Sequence, residues 1–208
     1  MVARNDPAAR ADLVLESFVP FVREISIVGV RSPGGHTAFY PPVQNLHARG
    51  ILARSESPAP NLSESARTKY EDAHRRVMEE LNYVGVLTIE FFELPGGPFL
   101  ANEMAPRVHN SGHWTIEGAP TSQFENHLRA ILDLPLGDTH PGGTSVMLNI
   151  IGAEPDTRAL LALPNVHVHL YGKSPRPGRK LGHVTIVAPN PDAADRLTAK
   201  ASAYLRNC

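Results

Sequence analysis

Two glutamates in this chain, Glu90 and Glu103, have a spacing that suits a metal site. They stand in two β-rich runs that flank a Pro-Gly-Gly-Pro turn at residues 95–98. If the turn is a two-residue hairpin centred on Gly96 and Gly97, Glu90 and Glu103 face each other on one side of the sheet. Opposed carboxylates repel each other unless a cation separates them, and Mg²⁺ prefers oxygen ligands of this kind. The alternative is a pair of solvated glutamates, and another turn length would shift the register.

The residues that follow Glu103 can bind anions or transfer protons. Arg107 offers a planar guanidinium that matches phosphate or carboxylate, and His109 and Asn110 could orient a small polar substrate. A cation site beside an anion site suits phosphoryl transfer, in which the protein mainly positions the phosphate and neutralises its charge. This run therefore favours phosphate chemistry over a hairpin with no ligand.

A second cluster of cations lies in a Gly/Pro-rich loop at residues 172–182. Lys173 opens the loop, and Arg176, Arg179 and Lys180 follow. Cations and main-chain amides that converge in one loop are suited to hold a phosphate. The alternative is a solvated basic loop without a ligand.

These side chains must be positioned by a sheet and a few helices. The runs that contain Glu90 and Glu103 predict a hairpin of strands at residues 84–92 and 99–104. Residues 63–82 are rich in helix formers and place apolar residues roughly every 3.6 positions, which predicts an amphipathic helix. Further strands are predicted at 13–15, 25–30, 37–40, 146–151, 166–171 and 183–188, an ordered loop at 41–60, and helices at 121–132 (with Thr121 as N-cap), 155–163 and 191–205.

The composition argues against several classes of protein. The 208 residues carry a formal net charge of −1, which does not suit a general nucleic-acid binder. No apolar run is long enough to span a membrane, and the N-terminal residues do not resemble a signal peptide. The one cysteine, Cys208, allows no internal disulfide, so a reducing cytoplasm is the expected compartment.

Other chemistries are less well supported by the sequence. His109 and His113 are four residues apart, but the glycine between them weakens a helix, and a His-Glu-x-x-His zinc motif is absent. His167 and His169 share one strand face and are expected to be packed or surface histidines. A Gly-Lys-Ser/Thr phosphate loop is also absent. Trp114 is equally suited to line a site or to fill the core.

Several long runs of this sequence carry a family resemblance. The longest is Asn-Glu-Met-Ala-Pro-Arg-Val-His-Asn-Ser-Gly-His-Trp-Thr at residues 102–115. The others follow one another along the chain at residues 16–26, 39–52, 121–127, 169–173 and 176–185. Together they resemble the PurK family, the 5-(carboxyamino)imidazole ribonucleotide synthases, which have the ATP-grasp fold. The resemblance covers roughly residues 11–190.

The resemblance implies an α+β fold and a function. Residues 1–138 would form the C-terminal subdomain of an ATP-grasp domain, an antiparallel sheet with packed helices, and residues 139–208 a small β-rich C-terminal unit. Family members carboxylate 5-aminoimidazole ribonucleotide with bicarbonate and ATP in purine biosynthesis, through a carboxyphosphate intermediate. The implied cofactors are ATP and Mg²⁺. The implied partners are these small molecules and a second copy in a homodimer, with no nucleic acid and no membrane.

The resemblance also assigns roles to residues by their place in the motifs. Glu90 and Glu103 correspond to the Mg²⁺ ligands. Glu16 and Val19 correspond to the adenine contacts, and Glu24 corresponds to the ribose contact. His47 and Asn102 correspond to further contacts with the nucleotide or its phosphates. The bicarbonate and carboxyphosphate end corresponds to Arg107, His109 and Asn110, and the clamp on the ribose phosphate to Lys173, Arg179 and Lys180.

The sequence departs from a complete family member in two respects. Many ATP-grasp enzymes have an asparagine two residues after the second metal-binding glutamate, where this chain has Ala105, so Asn102 is expected to contribute in its place. A complete PurK enzyme is also expected to have an N-terminal domain and a subdomain whose lysine and Gly-rich loop cover the ATP phosphates. The sequence before Leu13 is too short to supply either.

Three functional hypotheses follow. In the first, the chain has the synthase activity, alone or with a companion polypeptide that carries the missing half. In the second, it is catalytically incomplete but folds and binds nucleotide or Mg²⁺ weakly. In the third, it is another ATP-grasp carboxylate–amine ligase, which residues 176–185 argue against. Because phosphate positioning supplies most of the catalysis, we expect little turnover from the isolated chain, and an exposed apolar surface where the missing half would pack.

Overall fold

The computed structural model describes residues 15–205, which form mainly strands and a few helices. The strands are β1 (Arg23–Arg31), β2 (Thr37–Phe39), β3 (Val43–Ala48), β4 (Ile51–Ser57), β5 (Gly85–Glu93), β6 (Phe99–Ala105), β7 (Thr144–Ile151), β8 (Val166–Leu170) and β9 (Lys180–Ala188). The helices are α1 (Glu64–Glu80), α2 (Thr115–Gly118), α3 (Gln123–Ile131), α4 (Thr157–Leu161) and α5 (Pro191–Ser202), and a 3₁₀ turn spans Asn110–Gly112.

These strands form one antiparallel sheet. The order of the strands is β6-β5-β1-β3-β4-β7-β9-β8, and β2 pairs with β1 beside this path. The predicted antiparallel sheet with packed helices is therefore confirmed. Because β4 pairs with β7, the sheet continues across residue 138, where the sequence predicted a boundary between two units. The division into two units itself stays a prediction.

Strand β1 is buried because of its sequence and its neighbours. It pairs with β5 along its whole length, and with β2 and β3 on its other edge. A strand covered on both faces needs a nearly continuous apolar run, and Ile25, Ile27, Val28 and Val30 are fully buried. Ser26 is buried in the same run, which makes it a polar exception.

Helix α1 forms where the sequence predicted it. Ser63 is its N-cap, and the Ser63 hydroxyl accepts a hydrogen bond from the Ala66 N–H at 3.2 Å. Tyr70 and Met78 pack against apolar residues of β1 and β5, and full burial of one such side chain contributes on the order of 1.5–3 kcal/mol. Asn82, with a φ of 44°, lies just past the last turn and ends the helix.

The prediction of an ordered loop at residues 41–60 is wrong, because this segment forms the hairpin of β3 and β4. The prolines of the segment lie outside the two strands, where they remove no hydrogen bonds from the sheet. Arg49 and Gly50 connect the strands with φ angles of 52° and 74°, as tight hairpin turns require. The prolines therefore mark the ends of strands and not a loop.

Several predicted boundaries also differ from the structure. The N-cap of α3 is Ser122 and not Thr121, since the Ser122 hydroxyl accepts a hydrogen bond from the Glu125 N–H at 3.2 Å. Strand β9 begins at Lys180, inside the predicted basic loop, because Lys180 already pairs with β7. Leu15 was predicted to end a strand but has no strand structure, and residues 13 and 14 lie outside the described residues.

Trp114 fills the core. It is fully buried, and its ring meets the Tyr40 ring edge-on, with 6.2 Å between the ring centroids. It directly precedes α2, a four-residue helix that the sequence did not predict.

The helices lack membrane-spanning character. Among residues 15–205, none of them is both long enough and apolar enough to cross a membrane.

Candidate active site

The hairpin of β5 and β6 brings Glu90 and Glu103 opposite each other, as predicted. The predicted two-residue turn is wrong, because residues 94–98 form a longer connection. This longer turn alone would place Asn102 opposite Glu90. A β-bulge leaves Asn102 unpaired in β6, and the bulge brings Glu103 into line with Glu90.

Glu90 is the buried member of this carboxylate pair. It is 8% exposed, whereas Glu103 lies at the surface. Burial raises the pKa of Glu90, His47 lowers it, and the neighbouring carboxylates of Glu103 and Glu24 raise it further. Burial and like charge thus disfavour the ionised form of Glu90, and a cation between the two carboxylates would favour it.

A series of buried polar side chains supports Glu90 from the neighbouring strands. The Ser26 hydroxyl donates a hydrogen bond to Glu90 Oε1 at 3.4 Å and accepts one from Asn45 Nδ2. Asn45 Oδ1 accepts a hydrogen bond from the Ser55 hydroxyl at 2.8 Å. The three residues belong to β1, β3 and β4 and are buried. Sequence reasoning missed them, although a serine inside the apolar run of β1 was a visible signal.

Glu24 and His47, both expected to contact the nucleotide, lie side by side. Glu24 is on β1 and His47 is on the paired strand β3, and 2.7 Å separates Glu24 Oε2 from His47 Nδ1. Side chains two residues apart on a strand share a face, so Glu24 lies on the same face as Ser26. Because Ser26 pairs with Glu90, Glu24 and His47 lie on the same face of the sheet as the carboxylate pair.

Lys180 and Asn110 join two distant parts of the chain at the carboxylate pair. Asn110 Oδ1 accepts hydrogen bonds from Lys180 Nζ at 2.8 Å and from Asn149 Nδ2 at 2.7 Å. Burial lowers the pKa of Lys180, while the nearby carboxylates of Glu90 and Glu103 raise it. Lys180 thus lies at the carboxylate end of the site, together with Asn110.

His109 is held beside Glu90 as a neutral ring. Its Nδ1 accepts a hydrogen bond from the Ser111 main-chain N–H at 3.3 Å and lies 2.9 Å from the Ser111 hydroxyl. Burial lowers the pKa of His109 to about 4, and the nearby cations Arg107 and Lys180 act in the same direction. The 3.7 Å between His109 Nδ1 and Glu90 Oε1 is therefore no ion pair at neutral pH.

Other predicted site residues lie at the margin of this cluster. Arg107 and Asn102 are exposed, and the Arg107 guanidinium donates to the Val108 carbonyl at 3.0 Å. Arg179 donates to the Ser174 carbonyl at 3.3 Å, within the basic loop. Lys173 Nζ lies 5.3 Å from the centroid of the Tyr171 ring, and its charge lowers the pKa of Lys180.

The segment predicted to contact adenine precedes β1. Glu16 is exposed and Val19 is partly buried, and neither residue belongs to a helix or a strand. Phe21 stacks on Phe92 of β5, with 4.5 Å between ring centroids. This stacking holds the segment against the strand that carries Glu90.

A group of packed histidines lies near the basic loop. It includes His169, which was expected to be a packed or surface histidine, whereas sequence reasoning missed the part of His183. His183 stacks on His169 with 4.5 Å between ring centroids, and its Nδ1 lies 2.7 Å from the Tyr171 hydroxyl. His169 Nε2 lies 2.6 Å from Glu117 Oε1. Burial lowers the pKa of His183 to about 3, so this ring is neutral at pH 7. His113 lies next to the group, with its ring centroid 5.2 Å from that of His183.

The fold and the carboxylate pair define the class of protein. Residues 2–124 match the ATP-grasp domain, and the chain belongs to the ATP-grasp family. Residues 145–197 match the phosphoribosylaminoimidazole carboxylase C-terminal domain.

Relatives with a curated name point to one enzyme within this class. The chain is 52% identical to the N5-carboxyaminoimidazole ribonucleotide synthase of Pseudomonas aeruginosa over 188 residues, which is 90% of this chain and 50% of that protein. It is 45% identical to the synthase of Escherichia coli over 194 residues, which is 93% of this chain and 53% of that protein. The chain therefore spans about half the length of these relatives.

Solved structures give the same result. The N5-carboxyaminoimidazole ribonucleotide synthetase of Thermus thermophilus superimposes with a TM-score of 0.89 at 52% identity, over 93% of this chain and 53% of that one. The synthase of Aspergillus clavatus, in complex with ADP and 5-aminoimidazole ribonucleotide, superimposes with a TM-score of 0.84 at 35% identity. That match covers 90% of this chain and 52% of the other.

Proposed function

We propose that this chain supplies one half of an N5-carboxyaminoimidazole ribonucleotide synthase. The reaction is the ATP-dependent carboxylation of 5-aminoimidazole ribonucleotide by bicarbonate, through carboxyphosphate, in purine biosynthesis. The observation that carries the proposal is the opposed pair Glu90 and Glu103 with Lys180 and Asn110 beside it, in a chain 52% identical to such a synthase. A site for a metal cation next to the Lys180 ammonium and the Asn110 amide suits a reaction that activates bicarbonate with a phosphate.

The residues present fit Mg²⁺ bound together with a nucleotide. Within residues 15–205, no group of three or more His, Cys, Asp or Glu side chains is arranged to hold a metal ion. Two opposed carboxylates are enough when the phosphates of ATP complete the coordination, as is common for Mg²⁺. Glu90 and Glu103 would hold the ion, which when bound neutralises the charge of the transferred phosphate.

The remaining assignments rest on the places that these residues occupy in the family motifs. We infer that Glu16 and Val19 contact adenine, that Glu24 accepts from the ribose hydroxyls, and that His47 and Asn102 contact the nucleotide or its phosphates. Arg107, His109 and Asn110 bind bicarbonate and carboxyphosphate, and Lys173 and Arg179 bind the ribose phosphate. Lys180 is proposed for the same phosphate, and its hydrogen bond to Asn110 would place that phosphate next to the reacting end.

Two other functions compete with this proposal. In the first, the chain folds and binds nucleotide weakly but does not catalyse the reaction by itself. The exposure of Leu15 and Phe18, at 99% and 88%, favours a chain that needs a companion to cover this segment. The second is another ATP-grasp ligase that carboxylates or couples a different amine.

One experiment separates these functions. We would assay ATP- and bicarbonate-dependent consumption of 5-aminoimidazole ribonucleotide by the purified chain, and by a fusion of the N-terminal half of the Pseudomonas aeruginosa synthase to this chain. We expect turnover by the fusion protein and little by the chain alone. A fusion protein that binds ATP but leaves the ribonucleotide unused would contradict the proposed substrate, and strong turnover by the chain alone would contradict the need for a companion.

Further properties of the whole protein are also proposals. We infer a boundary between two units near residue 138, which lies between the two stretches that match family domains. We also infer a cytoplasmic homodimer. An exposed apolar stripe on and just after α3 offers a contact surface; it consists of Phe124, Leu128, Ile131 and Leu132. Sedimentation of the fusion protein would measure the number of copies.

A further inference from the structure

We propose that Gln123 is a positioning residue that fixes the main chain of His109 and the tautomer of His113. Gln123 is fully buried at the first position of α3. The inference rests on the proposed function, because His109 is assigned there to the bicarbonate end of the site. It adds two residues, Gln123 and His113, to which the family resemblance gave no role.

Both ends of the Gln123 amide bind the main chain of His109. Gln123 Oε1 accepts a hydrogen bond from the His109 N–H at 3.0 Å, and Gln123 Nε2 donates one to the His109 carbonyl at 2.7 Å. A main-chain N–H can only donate and a carbonyl can only accept. The orientation of the Gln123 amide is therefore determined by its partners.

The orientation of the amide determines the tautomer of His113. Gln123 Nε2 lies 3.1 Å from His113 Nδ1. Because an amide nitrogen donates and does not accept, His113 Nδ1 must accept and is unprotonated. The ring is then neutral and carries its proton on Nε2. Burial lowers the pKa of His113 to about 4. A hydrogen bond with the His109 main chain raises this pKa, and the nearby Lys180 and His169 lower it, so the net effect agrees with a neutral ring.

Gln123 is itself fixed by the 3₁₀ turn and by α2. The Gln123 N–H donates to Thr115 Oγ1 at 2.9 Å, and the Thr115 hydroxyl donates to the Gly112 carbonyl at 2.7 Å. Gly112 passes so close that a Cβ atom there would lie 2.6 Å from Gln123 Oε1. These contacts hold the Gln123 side chain in one position, and from there it fixes the main chain of His109.

This arrangement has a consequence for ligand binding. A neutral His113 adds no second positive charge beside Lys180, and it keeps one N–H group, on Nε2, for donation. An N–H donor within the electrostatic reach of Lys180 suits an oxyanion, here bicarbonate or a phosphate oxygen. Protonation of Nδ1 would instead turn His113 into a donor toward Gln123 or the His109 carbonyl, and Gln123 could no longer bind both histidines.

The first arm of the test measures the tautomer of His113 in the complete 208-residue chain. Proton–nitrogen correlation NMR of the labelled chain distinguishes Nδ1–H from Nε2–H rings, and the His113→Gln variant identifies the signal. We expect Nε2–H in the unaltered chain. In Gln123→Glu the donor is replaced by a carboxylate, so we expect the proton to move to His113 Nδ1 or the ring to become doubly protonated.

Asn126→Asp is the matched control. Asn126 is another buried amide of α3, but it binds the Tyr40 hydroxyl and the Gly137 N–H and not the His109 loop. We expect this variant to leave the His113 signal unchanged. An Nδ1–H ring in the unaltered chain, an unchanged His113 in Gln123→Glu, or an equal shift in both variants would overturn the proposal. The measurement on the unaltered chain requires neither Gln123→Glu nor Asn126→Asp to fold.

The second arm uses the fusion protein described above. We expect Gln123→Glu to raise the KM for bicarbonate at least tenfold and to change the KM for ATP less than twofold. Equal changes in the two KM values would indicate a structural role only and would contradict positioning. If the fusion protein is inactive, the proposed function fails, whereas the NMR result still decides the tautomer.

Discussion

Burial and the direction of hydrogen bonds decide the chemistry of the site at the scale of single residues. Sequence analysis assigned Glu90, His109 and Lys180 to the site, but it did not predict whether these side chains are ionised. Burial raises the pKa of Glu90 and lowers those of His109 and Lys180. That burial is produced by strands distant in sequence, so no local pattern around these residues could reveal it.

A buried histidine outside the site gives the protein a pH-dependent stability. His74 of α1 is fully buried, with its Nε2 atom 3.0 Å from the Leu87 carbonyl, and burial lowers its pKa from 6.5 to about 4. As the pH falls below 6.5, the unfolded chain binds a proton at His74 and the folded protein does not. His74 therefore does not affect the free energy of unfolding above pH 6.5. As the pH falls from 6.5 to about 4, His74 lowers this free energy.

We expect the variant His74→Gln to have a shallower pH dependence in this window. The contribution of one such histidine is at most about 1.4 kcal/mol per pH unit, and the other neutral histidines keep theirs. Urea denaturation at a series of pH values measures it. His140→Gln is the control, because the His140 side chain is 79% exposed. The same pH dependence in His74→Gln and in the unaltered protein would contradict the assignment.

At the scale of secondary-structure elements, local sequence signals predicted individual elements well. They did not predict how the strands pair in the sheet. The capped helix α1 and the hairpin of β5 and β6 follow from spacing and turn residues near in sequence. The bulge at Asn102 does not, although it determines that Glu103 faces Glu90. The segment 41–60 was misjudged because its prolines lie at strand ends, and a proline outside the ladder costs a sheet nothing.

The contact between the 3₁₀ turn and α3 can be tested with a glycine. A Cβ atom at Gly112 would meet Gln123 Oε1 at 2.6 Å and would push the amide out of its position. We expect Gly112→Ala to lower the free energy of unfolding by roughly 1–3 kcal/mol and to shift the NMR signals of His109. Gly142→Ala is the control, since a Cβ there has open space around it. Similar stability of the two variants would show that the contact is unimportant.

At the scale of the whole molecule, the chain forms one sheet with the candidate site on one face, and an apolar segment before β1 is exposed. It spans about half the length of its relatives, and Phe18, in the segment before β1, is 88% exposed. An exposed apolar surface promotes association. We expect the isolated chain to self-associate with rising concentration, as measured by light scattering.

A pair of serine variants tests which surface is responsible for this association. We expect Phe18→Ser to reduce association without loss of stability, because the Phe18 side chain makes little contact with the fold. Leu161→Ser, at an exposed position of α4, is the matched control and should leave association unchanged. Equal effects of the two variants would place the associating surface elsewhere.

The central claim is that Glu90 and Glu103 form the cation site of an ATP-grasp enzyme, and the affinity for Mg²⁺-ATP tests it most directly. The measurement is calorimetric titration of the fusion protein, its Glu103→Gln variant, and the control Glu80→Gln at an exposed position of α1. We predict that Glu103→Gln weakens binding at least tenfold, or by about 1.4 kcal/mol, and that Glu80→Gln leaves it unchanged. Equal affinity of the Glu103→Gln variant and the unaltered fusion protein would contradict the two-carboxylate site.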